Sequence, residues 1–402
     1  MNNSAKHQSP KRILMVLRRL GMGGIEKATV VLANAMVREG HEVHLLIFKG
    51  QPELELDPRV RVHCRNLERE SRKTPLGLAY YILSRTLLRF VVPGSSSVWP
   101  GFVVSRRFKD FLHQLEAADG RFDLILIRGQ GAFELLWNFY DSRCWQMVEA
   151  VTGVYENRER ESRWLTRKLF EGKRVICVSQ GIADGLRHHL EDYGVMLADL
   201  RVIYNAVPID DIRRLGNETP VPAFDRPYLV HVARLVPEKG QRVLIEAYYL
   251  ARQQGVTAPL VIIGDGSERG RLEAQAERLG LRDHVHFLGQ QSNPYPWVAR
   301  ASAFVLSSHF EGLGLVLIEA LALGTQCVAT DVPGGIREVL SGKQRRLVAE
   351  HGPASLAEKI REALVEPVAI DASFVERFEE CTILPQFLLL IDEAESPLSD
   401  QT

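Results

Sequence analysis

Cysteine is scarce in this sequence, and the cysteines that are present form no pattern. The chain of 402 residues holds five of them, an odd number with neither the spacing of a disulfide framework nor that of a zinc site. The first ten residues are polar and lack the apolar segment of a signal peptide, and no run of 18 apolar residues could span a bilayer. We therefore expect a protein of the reducing cytosol with no visible export signal.

A net charge is also missing, since 50 lysines and arginines balance 50 aspartates and glutamates. The balance hides an asymmetry: residues 1–200 hold 30 basic against 23 acidic residues, so the front half is near +7 and the back half near −7. A length of 402 residues exceeds one small core and fits two α/β domains of about 200 residues each. We expect the two halves to meet different partners.

Acidic residues are absent from one long stretch, residues 71–109. Leucines and aromatic residues there are interleaved with seven basic residues, Arg72, Lys73, Arg85, Arg89, Arg106, Arg107 and Lys109. A basic face beside apolar side chains is what a helix lying on an anionic membrane surface needs. The alternative is a helix pair whose apolar side is core and whose arginines are solvated. No nucleic-acid-binding motif accompanies the charges, so we predict an anionic membrane surface as a partner and no nucleic acid.

A complete dinucleotide-binding fingerprint is missing as well. The spacing predicts a βαβ opening over residues 12–48. In its glycine turn, the third glycine of Gly-x-Gly-x-x-Gly would fall on Glu26. In a second such turn, which begins at Gly264, the next glycine is Gly270 and comes one residue too late. An NAD-dependent oxidoreductase is therefore disfavoured.

Residues 303–324 combine an apolar strand, a glycine-interrupted turn and a helix. Gly312 and Gly314 let the backbone approach a ligand closely, and the amides that open the helix form an anion site at its positive end. Glu311 in the turn and Glu319 on the helix can face one crevice at the carboxyl end of a sheet, where open α/β folds bind ligands. The stretch predicts a site for phosphate or sugar oxygens, and a plain strand-turn-helix unit with two surface glutamates is the alternative.

The same stretch resembles the signature of retaining glycosyltransferases of family 4, Glu-Gly-Phe-Gly-Leu followed by Glu-Ala, with the two glutamates eight positions apart. Leu313 replaces the usual Phe. The resemblance implies that Glu311 lies by the donor sugar and that Glu319 holds the ribose of a nucleotide sugar. It also implies that the amides of the turn face the sugar, namely those of Gly312, Leu313, Gly314 and Leu315.

Arg234 and Lys239 directly follow a predicted strand and lie five positions apart. Two fixed cations there would stabilise the negative charge that a nucleotide diphosphate gains as its bond to a sugar breaks, and a metal would then be unnecessary. The run resembles the family's Gly-Arg-x-x-x-x-Lys-Gly motif, with Ala233 in place of glycine. The alternative is a surface arginine and lysine that cap strand and helix ends.

Three further segments resemble family loops that contact the donor. Gly23 and Gly24 match a Gly-Gly-x-Glu loop whose backbone faces the phosphates. Gly264 and Gly266 open a helix in an anion- or nucleotide-contacting turn. By the same resemblance, the backbone of Leu288 would lie near the base.

One contact of the family has no counterpart in this chain. Family members often show a histidine after a strand of the first domain, facing the reacting sugar. Here the strand predicted over residues 122–127 is followed by Arg128 and Gln130. The polar contact from the first domain therefore stays unassigned.

The joined pattern predicts two Rossmann-like doubly wound domains that face a cleft, the GT-B arrangement. Prolines and charges replace periodic apolar residues after residue 209 and indicate a linker. Pro385 predicts a kink or break near the end of the chain. The predicted parts are an N-terminal acceptor-binding domain over 1–207, a linker over 208–227, a C-terminal nucleotide-sugar-binding domain over 228–375, and a segment over 376–402 that crosses back to the first domain.

The resemblance implies a retaining, metal-independent glycosyltransferase with Arg234, Lys239 and Glu311 as candidate catalytic residues. The expected donor is a UDP-sugar, a co-substrate, and no cofactor is expected. The basic first half favours a glycolipid or oligosaccharide acceptor, in lipopolysaccharide core or other cell-envelope glycan synthesis, at the inner face of the cytoplasmic membrane. The alternatives are a nucleotide-sugar epimerase on the same scaffold, which would convert donor without acceptor, and a non-catalytic nucleotide-sugar-binding protein.

Overall fold

The computed structural model describes residues 9–87, 98–150, 159–219, 224 and 227–395, with side chains described except for 159–162 and 393–395. Arg89 of the basic stretch lies outside these residues. The described chain forms two compact units. Unit 1 takes in the described residues of Met1–Val178, Ala183–Ala206 and Ile383–Thr402, and unit 2 those of Ser179–Ile182 and Val207–Thr382.

Unit 1 contains a seven-stranded sheet in the order β3-β2-β1-β4-β5-β6-β7, with every neighbouring pair parallel. The inner strands β1, β2 and β4 are almost wholly buried, because helices cover both faces of a parallel sheet. The strands are β1 (Arg12–Leu17), β2 (Glu42–Ile47), β3 (Arg61–Cys64), β4 (Leu124–Arg128), β5 (Cys144–Val148), β6 (Arg174–Cys177) and β7 (Asp199–Val202).

Helices connect these strands, and the first of them, α1, buries one apolar side against β2. No helix of the described chain is long and apolar enough to cross a membrane. The helices are α1 (Gly24–Arg38), α2 (Leu67–Ser71), α3 (Pro75–Thr86), α4 (Val98–Asp119), α5 (Gln130–Leu135), α6 (Glu159–Phe170) and α7 (Gln180–Tyr193).

Unit 2 contains a six-stranded parallel sheet in the order β10-β9-β8-β11-β12-β13. Its strands are β8 (Leu229–Val232), β9 (Leu260–Ile263), β10 (Val285–Gly289), β11 (Ala303–Leu306), β12 (Cys327–Thr330) and β13 (Val348–Ala349). Its helices are α8 (Ile209–Gly216), α9 (Gln241–Gln253), α10 (Arg269–Arg278), α11 (Tyr295–Ala299), α12 (Leu315–Ala322), α13 (Ile336–Val339) and α14 (Pro353–Val365), and α15 (Glu380–Glu395) follows at the end of the chain.

Both sheets have the doubly wound strand order, in which the direction of winding reverses beside the first strand. The reversal falls between β1 and β4 in unit 1 and between β8 and β11 in unit 2. The prediction of two Rossmann-like doubly wound domains is therefore confirmed. In such sheets the crevice at the reversal, outside the carboxyl ends of the strands, is where ligands bind.

The sequence patterns did not indicate three strands of unit 1, namely β3, β5 and β7. β3 and β7 are the edges of the sheet and alternate polar with apolar residues, because one side of an edge strand meets solvent. β5 is buried but carries Gln146 at its centre, which interrupts the apolar run that marks an inner strand.

The predicted linker is not wholly irregular, because α8 occupies its first part. Ile209 and Ile212 are buried on one side of this helix, which packs against α11 and α12. Eight residues are too few for the sequence to show a helical period clearly. The first part of the predicted linker is thus helical and belongs to unit 2, and the bounds given to the linker stay a prediction.

The predicted break at Pro385 is also absent, since α15 continues through this residue. Proline removes one backbone hydrogen bond and costs a helix interior about 3 kcal/mol. Five apolar side chains of α15 are buried and hold the helix together against that cost: Ile383, Leu384, Phe387, Leu390 and Ile391.

Candidate functional site

Arg234 and Lys239 lie in the loop that follows β8, at the reversal point of the sheet in unit 2. Arg234 is exposed, and Lys239 ends a short 3-10 turn, Pro237–Lys239. Gly240 then opens α9 with φ 61°, a left-handed conformation, and a side chain there would collide with the carbonyl oxygen of Ser307. The close approach of these two backbones brings the loop after β8 beside the loop after β11.

A buried polar network underlies this loop. The Nδ1 of His231 lies 2.8 Å from the carbonyl oxygen of Val305, which can only accept, so Nδ1 carries the proton. The Nε2 atom of Gln241 lies 3.2 Å from Nε2 of His231 and donates to the carbonyl oxygen of Arg234 at 2.8 Å. Burial lowers the pKa of His231 to about 4, and the nearby charge of Lys239 acts in the same direction. The neutral histidine therefore accepts a hydrogen bond from Gln241, and Gln241 in turn fixes the backbone of Arg234.

Glu311 lies in the turn after β11 and meets Lys239. Its Oε1 atom is 2.5 Å from Nζ of Lys239 and accepts a hydrogen bond from Oγ of Ser308 at 2.6 Å. The side chain of Glu311 is mostly buried, and that of Lys239 is partly exposed. The structure thus brings two of the three candidate catalytic side chains into direct contact. Ser308 was missed by the sequence patterns, although it precedes Glu311 by only three residues.

The turn from Gly312 to Leu315 leads into α12. Gly314 adopts φ 81° and caps the helix, a conformation that disfavours any other residue. Leu313 points its side chain into the core, with only 2% of its surface exposed, so it can offer a ligand only its backbone. The carbonyl oxygen of Gly312 accepts from the backbone N–H of Gly335 at 3.0 Å. What the turn can present is therefore its amides at the positive end of α12.

Glu319 lies on α12, one turn beyond Leu315, and Tyr295 of α11 is its hydrogen-bond partner. Burial raises the pKa of Tyr295, and the charge and hydrogen bond of Glu319 raise it further. The phenol is therefore the donor and the carboxylate the acceptor. Tyr295 was not among the candidates from the sequence, because no motif connects residues 24 positions apart.

The glycine turn after β9 lies against the Arg234 loop. Gly264 has φ 135°, and a β-carbon there would come within 1.9 Å of the carbonyl oxygen of Ala233. At Gly266 a β-carbon would come within 2.3 Å of the carbonyl oxygen of Leu235, and the N–H of Leu235 donates to the backbone carbonyl oxygen of Asp265 at 2.9 Å. These glycines are required by backbone packing, whatever ligand the turn meets.

Leu288 lies at an irregularity in the pairing of β10 with β9. Its carbonyl oxygen accepts from Nε2 of Gln291 at 2.8 Å. The carbonyl oxygen of the next residue, Gly289, accepts from the N–H of Gly264 at 2.8 Å. The end of β10 is thus tied to the glycine turn, and its contact with a base stays a prediction.

Gly23 and Gly24 belong to unit 1, at the start of α1. Gly23 is in extended conformation and its carbonyl oxygen accepts the N–H of Lys27 at 3.0 Å. The carboxylate of Glu26 folds back over Gly23, where a β-carbon would meet its Oε2 atom at 2.2 Å. The phosphate-facing role of the two glycines stays a prediction.

A buried ion pair occupies the carboxyl end of the sheet in unit 1. Arg128 ends β4 and is fully buried. Its Nη2 atom donates to Oε1 of Glu149 at 2.5 Å and to Oδ1 of Asn205 at 2.7 Å. Among the described residues, no partner is found for its Nη1 atom. Arg128, which stands near the position of the family's histidine, is thus held inside the unit by two neighbours from other strand ends.

Two family models match the chain side by side. The model of glycosyltransferase family 4 matches residues 22–211, and that of glycosyl transferases group 1 matches residues 219–380. The chain belongs to the GT-B glycosyltransferases. The first match falls mainly on unit 1 of this glycosyltransferase and the second on unit 2, which carries Arg234, Lys239, Glu311 and Glu319.

Curated relatives of the glycosyltransferase include enzymes named for lipopolysaccharide. The lipopolysaccharide core biosynthesis glycosyltransferase LpsE of Rhizobium meliloti is 33% identical over 219 residues, 53% of this chain and 59% of the relative. The lipopolysaccharide 1,6-galactosyltransferase of Salmonella typhimurium is 28% identical over 211 residues, 48% of this chain and 57% of the relative. The matches span between 36% and 59% of the length of the first curated relatives.

Solved structures agree in fold over nearly the whole glycosyltransferase. Anabaena HepE in complex with UDP and glucose has a TM-score of 0.67 at 19% identity, covering 95% of this chain and 100% of that one. The sucrose-phosphate synthase of Thermosynechococcus elongatus has a TM-score of 0.68 at 21% identity, covering 96% and 99%. At these identities the likeness shows the fold alone.

Proposed function

We propose that this protein transfers a sugar from a nucleotide-diphosphate sugar to a saccharide acceptor, with a UDP-sugar as donor and with retention of the anomeric configuration. The observation that carries the proposal is the cluster of Lys239, Glu311 and Ser308 at the reversal point of the sheet in unit 2, with Arg234 in the same loop as Lys239. Relatives named as glycosyltransferases support the coarse activity, and the UDP in the complex of HepE motivates the choice of base.

The two cations provide the chemistry that the leaving group needs. A nucleotide diphosphate gains negative charge as its bond to the sugar breaks, and preorganised positive groups lower the free energy of that transition state. Arg234 and Lys239 supply such groups from a loop whose backbone is fixed by Gln241. We therefore propose a reaction that uses neither a metal ion nor a cofactor, with the nucleotide sugar as co-substrate.

Retention fits the surroundings of Glu311. Oε1 of Glu311 accepts hydrogen bonds from the ammonium of Lys239 and the hydroxyl of Ser308, and both donors draw electron density from the carboxylate. These bonds lower its nucleophilicity and favour a role beside the sugar. We propose that a phosphate oxygen of the donor takes the proton of the acceptor hydroxyl on the face from which the diphosphate leaves.

The proposed acceptor is a glycolipid or oligosaccharide of lipopolysaccharide core or another cell-envelope glycan. The names of two relatives support this class. Such acceptors reside at the inner face of the cytoplasmic membrane, so we propose peripheral association there. The excess of basic residues in positions 1–200 supports it. The comparisons favour neither the epimerase nor the non-catalytic binding protein.

The test is a thermal-shift screen of the purified protein against UDP, GDP, ADP, their common sugar conjugates and NAD, because a ligand that binds the folded state raises the unfolding temperature. We expect a shift with UDP and UDP-sugars that is lost in Lys239→Gln and kept in the exposed control Arg282→Gln. Release of UDP in the presence of an oligosaccharide acceptor, insensitive to EDTA, should follow, and proton NMR of the product reports its anomeric configuration. A shift with NAD alone would refute the proposal.

A further inference from the structure

The helix α3 of unit 1 exposes its large apolar side chains to solvent. Four of them on the helix, and Leu87 directly after it, expose between 43 and 61% of their surface: Leu76, Leu78, Ile82, Leu83 and Leu87. The residues that α3 buries are small, Gly77 and Ser84. A surface helix normally shows the reverse, with large apolar residues toward the core.

The helical period places the large apolar residues and the small residues of α3 on opposite sides of the helix. Leu76, Leu83 and Leu87 recur at spacings of seven and four and form one row, and Leu78 and Ile82 form a second row about 140° around the helix from the first, with Ala79 and Thr86 between the two rows. Gly77 and Ser84 are seven apart and lie on the side that packs against the chain, where a β-carbon at Gly77 would come within 1.9 Å of the carbonyl oxygen of Ser71. Small residues thus bring α3 close to its support, and the leucines project away from it.

The next helix behaves differently. α4 buries Val98, Val103, Val104 and Phe108, and it packs against α3. The alternative reading of the acid-free stretch, a helix pair with its apolar side in the core, therefore holds for α4 and fails for α3. The exposed apolar side of α3 needs an explanation of its own.

Aromatic rings with guanidinium groups over them flank the apolar side. On one flank, Tyr81 lies beneath Arg72 at 3.9 Å and beneath Arg85 at 4.5 Å from ring centroid to Cζ. On the other flank, the ring of Tyr80 lies 6.1 Å from that of Phe102, and Arg106 lies 4.5 Å above Phe102.

The charged residues of the stretch that contains α3 are all basic. Arg72 has Glu68 as an acidic neighbour at 3.8 Å, but residues 71–109 contain no acidic residue. Apolar side chains between aromatic rings and cations match a bilayer, whose interior accepts leucines, whose interface accepts aromatic rings and whose anionic headgroups attract arginine. A second copy of this chain would bring the same positive charges against each other.

We infer that the exposed side of α3 is a membrane-docking surface that inserts Leu76, Leu78, Ile82, Leu83 and Leu87 into an anionic bilayer. Arg72, Arg85 and Arg106 then contact lipid phosphates. The inference deepens the proposed function, since it names the surface that brings unit 1 to a lipid-linked acceptor, and it rests on that proposal for the identity of the acceptor alone.

The first test measures cosedimentation of the full chain with vesicles of phosphatidylcholine, with and without phosphatidylglycerol. We expect binding to vesicles that contain phosphatidylglycerol, and a loss of about tenfold or more in the double variant Leu83→Gln, Leu87→Gln. The matched control is Met196→Gln with Val365→Gln, which removes two apolar side chains elsewhere that are more exposed than Leu83 and Leu87, and it should bind like the wild type.

The second test separates charge from insertion. Arg85→Gln with Arg106→Gln should weaken binding to the anionic vesicles by about tenfold or more and flatten its dependence on salt. The control Arg278→Gln with Arg282→Gln removes two exposed arginines of unit 2 and should leave binding unchanged.

Several outcomes would overturn the inference. Wild-type protein that stays in the supernatant with all vesicles, or leucine variants that bind as well as wild type, would do so. A dimer that the leucine variants dissociate, without vesicle binding, would identify a second copy as the occupant. The thermal shift with UDP should be the same in all these variants, so failure of docking leaves donor binding intact, and failure of donor binding leaves docking intact.

Discussion

Tyr295 shows how a residue outside every motif can determine what a motif residue does. The ribose role implied for Glu319 requires its carboxylate to point at two hydroxyl groups. Tyr295 donates to that carboxylate and limits its rotation. A hydrogen bond to a charged group contributes about 1.5–3 kcal/mol, enough to matter for ligand affinity.

We predict that Tyr295→Phe raises the dissociation constant for UDP about tenfold, because Glu319 loses the donor that orients it. The penalty for replacing UDP by its 2′-deoxy analogue should shrink in the variant, as measured by titration calorimetry. A purely structural role would leave that penalty unchanged.

The control is Tyr228→Phe, which removes another buried hydroxyl whose bond goes to the carbonyl oxygen of Trp297, also on α11, at 2.6 Å. This variant should lose stability without changing the preference for the ribose hydroxyl. Equal changes in both variants would contradict a positioning role for Tyr295.

The sequence indicated Lys239 and Glu311 because each stands in a short motif with fixed spacing. It did not indicate that their side chains touch, since 72 positions separate them and only the parallel order of β8 and β11 brings them together. The sequence did not indicate His231 or Gln241 either, because their hydrogen-bond partners are the backbone carbonyl oxygens of Val305 and Arg234, which no sequence motif connects to them. Side-chain partners depend on the fold, and no local pattern records them.

At the scale of elements, strands were predictable where burial on both faces produced an apolar run. The apolar runs at residues 12–17 and 303–306 predict two strands, and β1 and β11 have these bounds. The sequence did not predict the edge strands β3 and β7, because they carry polar residues that face solvent and therefore form no apolar run. The break predicted from Pro385 is likewise absent from α15, because burial of one apolar side of the helix outweighs the cost of the proline.

We predict that Pro385→Ala stabilises the protein by about 1–3 kcal/mol, because alanine restores a backbone N–H that can bond to the carbonyl group of Cys381 and relieves the clash of the ring. Pro385 is exposed, so little packing is lost. Urea unfolding followed by circular dichroism measures the change.

The comparison variant is Leu389→Ala, an exposed position of the same helix, which should change stability by less than about 0.5 kcal/mol. A Pro385→Ala protein that is no more stable than wild type would mean that the turn of α15 around Cys381 has other partners for its carbonyl groups.

At the scale of the whole molecule, buried histidines make stability depend on pH. Burial lowers the pKa of His231 to about 4, and burial also lowers the pKa of His41, His44, His63 and His189. Below pH 6.5 these histidines become protonated in the unfolded chain, whereas in the folded chain they stay neutral down to a lower pH. The unfolded state then binds more protons than the folded one, so stability falls as the pH falls.

For His231 the loss begins near pH 6.5 and is complete near pH 4, where the folded imidazole also takes its proton, and it amounts to about 3 kcal/mol. His231→Gln keeps a side chain able to donate to Val305 and removes the titrating group. We predict that the variant is less stable than wild type at pH 8 but loses about 3 kcal/mol less between pH 6.5 and pH 4. Urea unfolding at several pH values measures this difference, and the exposed His188→Gln should follow the wild-type curve. Parallel curves for His231→Gln and wild type would mean that the folded chain protonates His231 as readily as the unfolded chain does, which the burial of His231 and the nearby charge of Lys239 contradict.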